Sequence, residues 1–246
     1  MKEEILKYYS KFKEIYNEEN YPEWFKFLKY HNMQFGEKGY NNEEHKLGHY
    51  AILQTNIPEN PIVVMVGKNN SWFIPSDMED SLEVAKSLKE NIPDQDWFAR
   101  ESNFASRLNS QINKISSIDS EAADILVNNR VGMNRIWLQT GANCPHENLK
   151  KAMEKNSKLK YEWSDLKKIC HKWTEDIIRT INPGLVILFG NWNDNDCAWN
   201  LFDKREEGEN FVIKHCPHPV GPNNGQNFYK FQEAIEDWKK IHRQHN

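Results

Sequence analysis

The sequence lacks the marks of several protein classes. It has only four cysteines and no CxxC pair, so neither a zinc ribbon nor an iron–sulfur cluster is favoured, and a disulfide framework is untypical of 246 residues. It has no apolar run long enough to span a membrane, and its first residues are charged and amphipathic. We therefore expect a cytoplasmic protein that is neither secreted nor inserted in a membrane. The cysteines are Cys144, Cys170, Cys197 and Cys216.

An excess of positive charge is also lacking, because 32 Lys and Arg residues stand against 36 Asp and Glu residues and give a formal net charge of −4. Proteins that coat nucleic acid nonspecifically gain most of their affinity by neutralising phosphates, so the composition argues against that class. Lysines do cluster in two places, which indicates either a solvated helix surface or a local basic face. The clusters are Lys150, Lys151, Lys155, Lys158, Lys160, Lys167 and Lys168, and then Lys230, Lys239, Lys240 and Arg243.

Short apolar runs that alternate with helical patterns predict the fold. Apolar residues run continuously over 61–66 and 183–190, and shorter apolar stretches at 136–138 and 211–213 indicate further strands over 134–140 and 211–219. Residues with a period of three to four lie between these runs, notably over 78–130, with a second helix at 97–115, and over 160–180 and 226–242. The alternation predicts an α/β protein with three layers, α/β/α, around a central four-stranded parallel sheet.

The domain prediction is one α/β domain over residues 1–246. Residues 1–35 carry apolar and aromatic side chains at helical spacing, interrupted at Pro22, and we expect two helices that form an extension packed on the domain. A short strand is also expected near Tyr50–Gln54. We find no internal repeat.

Polar and aromatic residues follow the predicted strands, where the carboxyl edge of a parallel sheet forms a ligand crevice. We expect the first strand to end at Gly67 and to lead into a loop. We expect this loop to comprise Lys68, Asn69, Asn70, Ser71, Trp72 and Phe73.

The order of these segments resembles the uracil-DNA glycosylase superfamily. The resemblance covers about residues 60–245 and rests on the Gly67–Ser71 segment, on Gln139 and Thr140 after an apolar strand, on the Pro183–Gly190 strand, and on His218-Pro219 after the last strand. It implies the glycosylase-like fold and a monomer that binds DNA and flips a base out of the duplex. It also implies hydrolysis of the N-glycosidic bond without metal or cofactor, which leaves an abasic site.

The resemblance implies roles for Asn69 and His218, and Asp77 and Lys68 are further candidates for the chemistry. Asn69 would position the attacking water, and His218 would donate a hydrogen bond to the departing base. Asn69 could instead be a turn residue, and His218 could be structural, with His215 as the active histidine. Asp77 could act as a general base or water anchor, but a helix N-cap is favoured for it. Lys68 could be a nucleophile, although a monofunctional enzyme is favoured.

Further residues would bind the base and the DNA. Trp72 or Phe73 would stack on the flipped base, and Gln139 and Thr140 would read its edge. Since Asn70 stands where relatives have proline after the catalytic asparagine, and Val220 where they have serine, uracil is a poor fit. Polar groups suited to sugar hydroxyls are Asn70, Ser71, Gln139, Asn143, Asn191, Asn193 and Asp194. Candidates for the DNA-entering loop are Val220, Asn223, Asn224 and Gln226.

The expected substrate is therefore a modified pyrimidine, such as glucosylated hydroxymethylcytosine in phage DNA, and the expected role is defence against phage. Repair of uracil or of another damaged base is the nearest alternative. A module that binds DNA or a nucleotide without catalysis is also left open by the absence of a carboxylate at the water position. The acidic net charge mildly favours a nucleoside or nucleotide-sugar hydrolase as a further rival.

Overall fold

A computed structural model describes residues 1–17, 19–20, 50–71, 91–94, 96, 103–140, 162–190, 197–203, 209–219 and 224–243. Within these ranges the strands are β1 (Val63–Ser71), β2 (Arg130–Thr140), β3 (Leu185–Gly190) and β4 (Val212–Pro217). The helices are α1 (Lys2–Ile15), α2 (Asn103–Ser116), α3 (Ser120–Asn128), α4 (Trp163–Ile181) and α5 (Asn227–Arg243). Short 3₁₀ turns cover Ala198–Asn200 and Asn224–Gln226.

The four strands form one parallel sheet with the order β2-β1-β3-β4. Every residue of β3 is buried, which explains its unbroken apolar sequence, since helices cover both faces of a parallel sheet. The prediction of a four-stranded parallel sheet is therefore confirmed.

Helices cover both faces of this sheet, which confirms the three-layer α/β/α prediction. On one face, α1 and α4 bury Phe12 and Ile177 in a core with Val64 and Val186. On the other face, α2, α3 and α5 pack around Met65, Ile187 and their neighbours. The alternation along β1 and β3 sends successive side chains to opposite cores. The residues that α2, α3 and α5 contribute include Leu108, Ile112, Ala122, Leu126, Phe231 and Ile235.

The segment that begins at Tyr50 lies along the outer edge of β2. Tyr50 and Leu53 make isolated antiparallel bridges to Leu138 and Met133, so the strand predicted at Tyr50–Gln54 is wrong and two single bridges replace it. The Leu53 N–H donates to the Tyr9 hydroxyl, and this bond ties the segment to α1 instead of extending the ladder.

Other boundaries agree with the periodicity to within a few residues. α4 and α5 cover the helices predicted over 160–180 and 226–242, and α1 is the first helix of the N-terminal extension. Its second predicted helix and residues 78–90 lie outside the described residues. Among the described helices, none has the length and apolar character needed to cross a membrane.

Candidate functional site

The strand order places a reversal of the chain between β1 and β3. The chain passes from β1 outward to β2, returns across the sheet to β3, and then continues outward to β4 on the other side. In parallel sheets such a switch point opens a crevice at the carboxyl ends of the two central strands. The gap between β1 and β3 is therefore the candidate ligand site of this fold.

The backbone pairing shows where this gap opens. β1 pairs with β3 only over Val63–Val66, opposite Leu185–Leu188. Beyond these residues β1 stays paired with β2 as far as Ser71, while β3 stays paired with β4 as far as Gly190. The sheet thus divides into two strand pairs at its carboxyl edge. The β1–β2 wall of the crevice comprises Gly67–Ser71 with β2, and the β3–β4 wall comprises Phe189 and Gly190 with the end of β4.

The β1–β2 wall differs from the expected geometry. We expected β1 to end at Gly67, but the strand continues to Ser71, so that prediction is wrong. Polar side chains end the apolar pattern, whereas the backbone N–H and C=O groups remain free to pair with β2. The register shifts between Asn69 and Asn70, as at a β-bulge, which redirects side chains at the rim of a sheet. Asn69 therefore lies on a strand beside an irregularity and not in a loop.

Gly67 is set close against β2. Its register partner is Asn134, and a Cβ built on Gly67 would collide with Asn134 Oδ1. Asn134 is buried, so its amide cannot move into solvent. Glycine at this position therefore lets β1 and β2 approach each other at the mouth of the crevice.

The β3–β4 wall is closed by the turn that contains Cys197 and Trp199. A Cβ on Gly190 would lie 2.6 Å from Cys197 Sγ and 3.0 Å from Trp199 Cδ1, so only glycine fits there. Trp199 Nε1 donates to the carbonyl oxygens of Leu188, at 2.8 Å, and Cys216, at 3.1 Å. One indole therefore holds β3 and β4 together next to the crevice.

His218 lies directly beyond β4 on this wall. Its backbone N–H donates to the Gly190 carbonyl at 3.2 Å, which fixes the residue at the carboxyl edge. Its ring is half-buried and meets Phe104 of α2 edge to face, with centroids 5.5 Å apart. Phe104 in turn packs on Phe189 at 5.7 Å. His218 therefore belongs to the α2 and α5 face of the sheet.

His215 belongs to the opposite face. Its ring contacts Trp199, with ring centroids 5.6 Å apart. The residues on either side of it point the other way, because Lys214 pairs with Glu233 of α5 and Cys216 lies in the core that α5 covers. The outer part of His215 is exposed, while burial against Trp199 lowers its pKa, an effect that the Trp199 backbone and Asp203 partly oppose. The structure therefore does not bring His215 and His218 together.

The remaining predicted residues fall into two groups. Gln139 and Thr140 are the last residues of β2, while Lys68 is half-buried on β1 and Gln226 is exposed before α5. Asn224 begins the same 3₁₀ turn as Gln226. The residues outside the described part of the chain are Trp72, Phe73, Asp77, Asn143, Asn191, Asn193, Asp194, Val220 and Asn223.

Charges on α5 favour the solvated-surface interpretation of the second lysine cluster. Lys239 pairs with Asp119 and Glu121, at 3.2 and 2.6 Å. The Nζ atoms of Lys230 and Lys240 lie within 4 Å of acidic groups on the same helix. Of the first cluster, only Lys167 and Lys168 are described. In the described ranges, no group of three or more His, Cys, Asp or Glu residues could hold a metal ion.

Sequence reasoning missed two buried amides at this edge. Asn134 lies inside the β2 pattern, where nothing marks it as different from an exposed strand residue. Asn227 is the first residue of α5 and is fully buried, and among the described residues neither its Oδ1 nor its Nδ2 has a hydrogen-bond partner. The preceding run of asparagine and glycine indicates only a helix start, so burial of this side chain could not be predicted.

Together the sheet and its crevice define a doubly wound α/β protein with a candidate ligand site at the switch point. Neither a protein-family model nor a curated protein matches the chain.

Proposed function

We propose that this protein is a monofunctional DNA glycosylase that hydrolyses the N-glycosidic bond of a modified pyrimidine. One observation carries the proposal. The two segments on which the glycosylase resemblance rests, Gly67–Ser71 and His218-Pro219, lie on opposite walls of one crevice at the switch point. Residues separated by about 150 positions in the sequence thus flank the space that a flipped base would occupy.

The chemistry needs two groups placed on either side of the scissile bond. Cleavage builds positive charge on the sugar and negative charge on the departing base. His218 donates a hydrogen bond to the base, and its ring is held by Phe104 and by the backbone bond to Gly190. Asn69, on the facing wall, orients the attacking water. An amide orients water without removing its proton, so the reaction depends on the stability of the departing base.

The substrate proposal is a pyrimidine with a bulky 5-substituent, for which glucosylated hydroxymethylcytosine in phage DNA is the leading candidate. The amides and hydroxyls of Asn70, Ser71, Asn143 and Asn191 are of the type that pairs with sugar hydroxyls. Defence against phage is the corresponding biological role. The same proposal includes a cytoplasmic location and a monomeric state.

One observation favours a second candidate, a nucleoside or nucleotide-sugar hydrolase. The described lysines on α5 are paired with acidic groups, which leaves less positive charge for duplex DNA than the sequence suggests. A small substrate would require the same crevice and the same histidine but no phosphate contacts along a helix.

The test is release of free base, detected by mass spectrometry, from duplexes that contain uracil, hydroxymethylcytosine, glucosylated hydroxymethylcytosine or only ordinary bases. Release of one modified base would support the proposal and identify the substrate. If no duplex yields a base but a nucleoside or nucleotide sugar is hydrolysed, the second candidate replaces it. DNA binding without hydrolysis of any substrate would instead favour a non-catalytic module.

Two substitutions test the assigned groups. Asn69→Ala and His218→Ala should each lower excision by at least about 100-fold, as for loss of a group that stabilises developing charge. The matched control is His171→Ala, because His171 lies on α4 and contacts Glu175. Normal excision by His218→Ala, or an equal loss in His171→Ala, would remove His218 from the mechanism.

A further inference from the structure

Arg135 carries an inference about how the two walls of the crevice are held relative to each other. It lies on β2, it is buried, and its Nη1 donates to the Cys197 carbonyl at 2.7 Å. Cys197 belongs to the turn that packs against Gly190 and closes the β3–β4 wall. One side chain therefore reaches from the β1–β2 wall to the opposite wall.

The register of the sheet shows that this hydrogen bond lies where the two walls have separated. Val66 is the last residue of β1 that pairs with β3, and its partner on β2 is Met133. Arg135 follows Met133 by two residues, which at the rise of a strand is about 7 Å toward the carboxyl edge. Within the described strands, β1 and β3 share no backbone pair at this level. The Arg135 side chain thus joins the walls beyond the point where the sheet is continuous.

Both ends of this bridge are anchored. On the β2 side, the Thr174 hydroxyl of α4 donates to the Arg135 carbonyl at 3.5 Å and accepts from Trp137 Nε1 at 3.1 Å. On the other side, Trp199 in the turn donates to carbonyls of β3 and β4. A displacement of the guanidinium would therefore be passed to the strands that form the two walls.

The type of residue suits this role better than simple filling of space. A charged group is costly to bury, so an apolar side chain would fill the same volume more favourably. β2 and β3 are two positions apart in the sheet, about 9–10 Å, and a long side chain is needed to cross that distance. Arginine carries a rigid fork of donors at the end of such a side chain, and its charge strengthens a hydrogen bond to a carbonyl.

We propose that Arg135 is a positioning residue that holds the two walls of the crevice at a fixed separation. The β1–β2 wall carries Asn69, and the β3–β4 wall carries His218, whose backbone N–H is bonded to Gly190. The reaction proposed above requires a water on one wall and a donor on the other to meet the same flipped base. A misplacement of about 1 Å in such an arrangement costs about 100-fold in rate. This consequence rests on the proposed function, whereas the bridge itself does not.

The first experiment compares kcat and KM of Arg135→Met and Arg130→Met with those of the wild type, on duplexes that contain glucosylated hydroxymethylcytosine or uracil. Arg130 is the matched control, because it is also a buried arginine of β2 but lies at the start of the strand, paired with Asp96. Arg135→Met should lower kcat about 10- to 100-fold and change KM by less than about threefold, since ligand contacts remain while their alignment is lost. Arg130→Met should leave both constants unchanged.

A second measurement, amide hydrogen exchange followed by NMR, reports on the walls without any substrate. The Leu201 N–H is bonded to Ala198 within the turn, and the Phe202 N–H is bonded to Glu175 Oε1 of α4. Loss of the bridge should let the turn open locally, so these two amides should exchange about 10-fold faster relative to those of β1. A general loss of stability, as in Arg130→Met, should leave this ratio unchanged.

Arg135→Lys tests rescue by a conservative substitution. Lysine keeps a charged donor that can bond to the Cys197 carbonyl but lacks the rigid fork of arginine. Both kcat and the exchange ratio of this variant should lie between those of the wild type and of Arg135→Met.

Each outcome decides the inference. It is overturned if Arg135→Met matches Arg130→Met in both measurements, or if its KM rises while kcat stays unchanged, since Arg135 would then contribute to binding alone. If the wild type excises nothing, the glycosylase proposal fails, and the exchange ratio alone decides whether Arg135 holds the walls. If Arg135→Met does not fold, Arg135→Lys takes its place. A lower kcat with faster exchange of the turn then supports the bridge, and wild-type values of both overturn it.

Discussion

Gly67 on β1 lies directly opposite Asn134 on β2, and Asn134 Oδ1 occupies the space that a Cβ at position 67 would need. Since Asn134 is buried, the substitution Gly67→Ala should force the two strands apart. We expect a loss of about 1–3 kcal/mol in the free energy of unfolding, as for an overpacked core site. Urea denaturation of the purified variant measures this loss.

Gly225→Ala is the control for that substitution, because a Cβ at Gly225 meets no atom within 4 Å. Its stability should stay within about 0.5 kcal/mol of the wild type. The double variant Gly67→Ala with Asn134→Ala should recover part of the loss, since the colliding amide is removed. A Gly67→Ala variant as stable as Gly225→Ala would contradict the close approach of β1 and β2.

The indole of Trp199 should hold the β3–β4 wall through its two hydrogen bonds. In Trp199→Phe the carbonyls of Leu188 and Cys216 lose this donor. We expect the free energy of unfolding to fall by about 1–3 kcal/mol, because buried acceptors left unsatisfied are costly. The NMR signals of the His218 ring should also shift, since its backbone is bonded to the end of β3.

Trp173→Phe separates the hydrogen bonds from the packing of a large ring. Trp173 is partly buried against Tyr8, Phe12 and Trp137, and its indole makes no hydrogen bond in the described part of the chain. This variant should lose packing alone and leave the His218 signals in place. Equal effects of the two substitutions would show that the Trp199 bonds do not hold the crevice wall.

The sequence predicts the sheet well, because β3 is buried on both faces and its residues are therefore apolar throughout. The end of β1 is not predictable in this way, since Gly67–Ser71 pair through backbone groups that every residue carries. The histidines show a second limit. Alternation along a strand separates the faces of His215 and Cys216, but the direction of His218, beyond the strand end, depends on Phe104 from a distant helix.

The burial of Asn227 is even less predictable from the sequence than the direction of His218. An asparagine at the start of a helix is expected to be an exposed cap, and only the packing of α5 against β3 and α2 decides otherwise.

Asp119 makes the N-cap of α3 sensitive to pH. Its carboxylate accepts from the Ala122 N–H at 2.9 Å and lies 3.2 Å from Lys239 Nζ. The hydrogen bond from Ala122 lowers the pKa of Asp119. Burial opposes this shift, and Lys239 adds to it. The folded state thus favours the charged form, so the stabilisation is complete above about pH 4 and is lost as pH falls through the lower folded pKa.

Asp119→Ala should therefore lower the free energy of unfolding by about 1 kcal/mol at pH 7, as for loss of a cap, and by less at pH 3. Asp119→Asn keeps a capping oxygen without the charge, so its stability should change less with pH over the same range. Urea denaturation at pH 7, 5 and 3 distinguishes the two. A penalty for Asp119→Ala that is the same at all three values would show that the charge plays no part.

The ion pair between Arg130 and Asp96 should matter more than the surface pairs on α5. The Arg130 side chain is 1% exposed, and its Nη2 and Nε donate to Asp96 Oδ2 at 2.6 and 3.1 Å. Removing one partner of a buried pair leaves a charge in a medium that solvates it poorly. We expect Asp96→Ala to cost about 3 kcal/mol, near the lower end for such pairs because Asp96 is 26% exposed.

Replacing both partners should cost less than replacing one. In Arg130→Met with Asp96→Ala the buried charge itself is gone and an apolar side chain fills its space, so we expect stability within about 1–2 kcal/mol of the wild type. Lys240→Ala, which breaks an exposed pair with Asp237, is the control and should change stability by less than about 1 kcal/mol. Urea denaturation of the wild type, Asp96→Ala, Arg130→Met and the double variant completes a double-mutant cycle. A double variant that loses the sum of the two single effects would mean that Arg130 and Asp96 stabilise the start of β2 independently, and not through their contact.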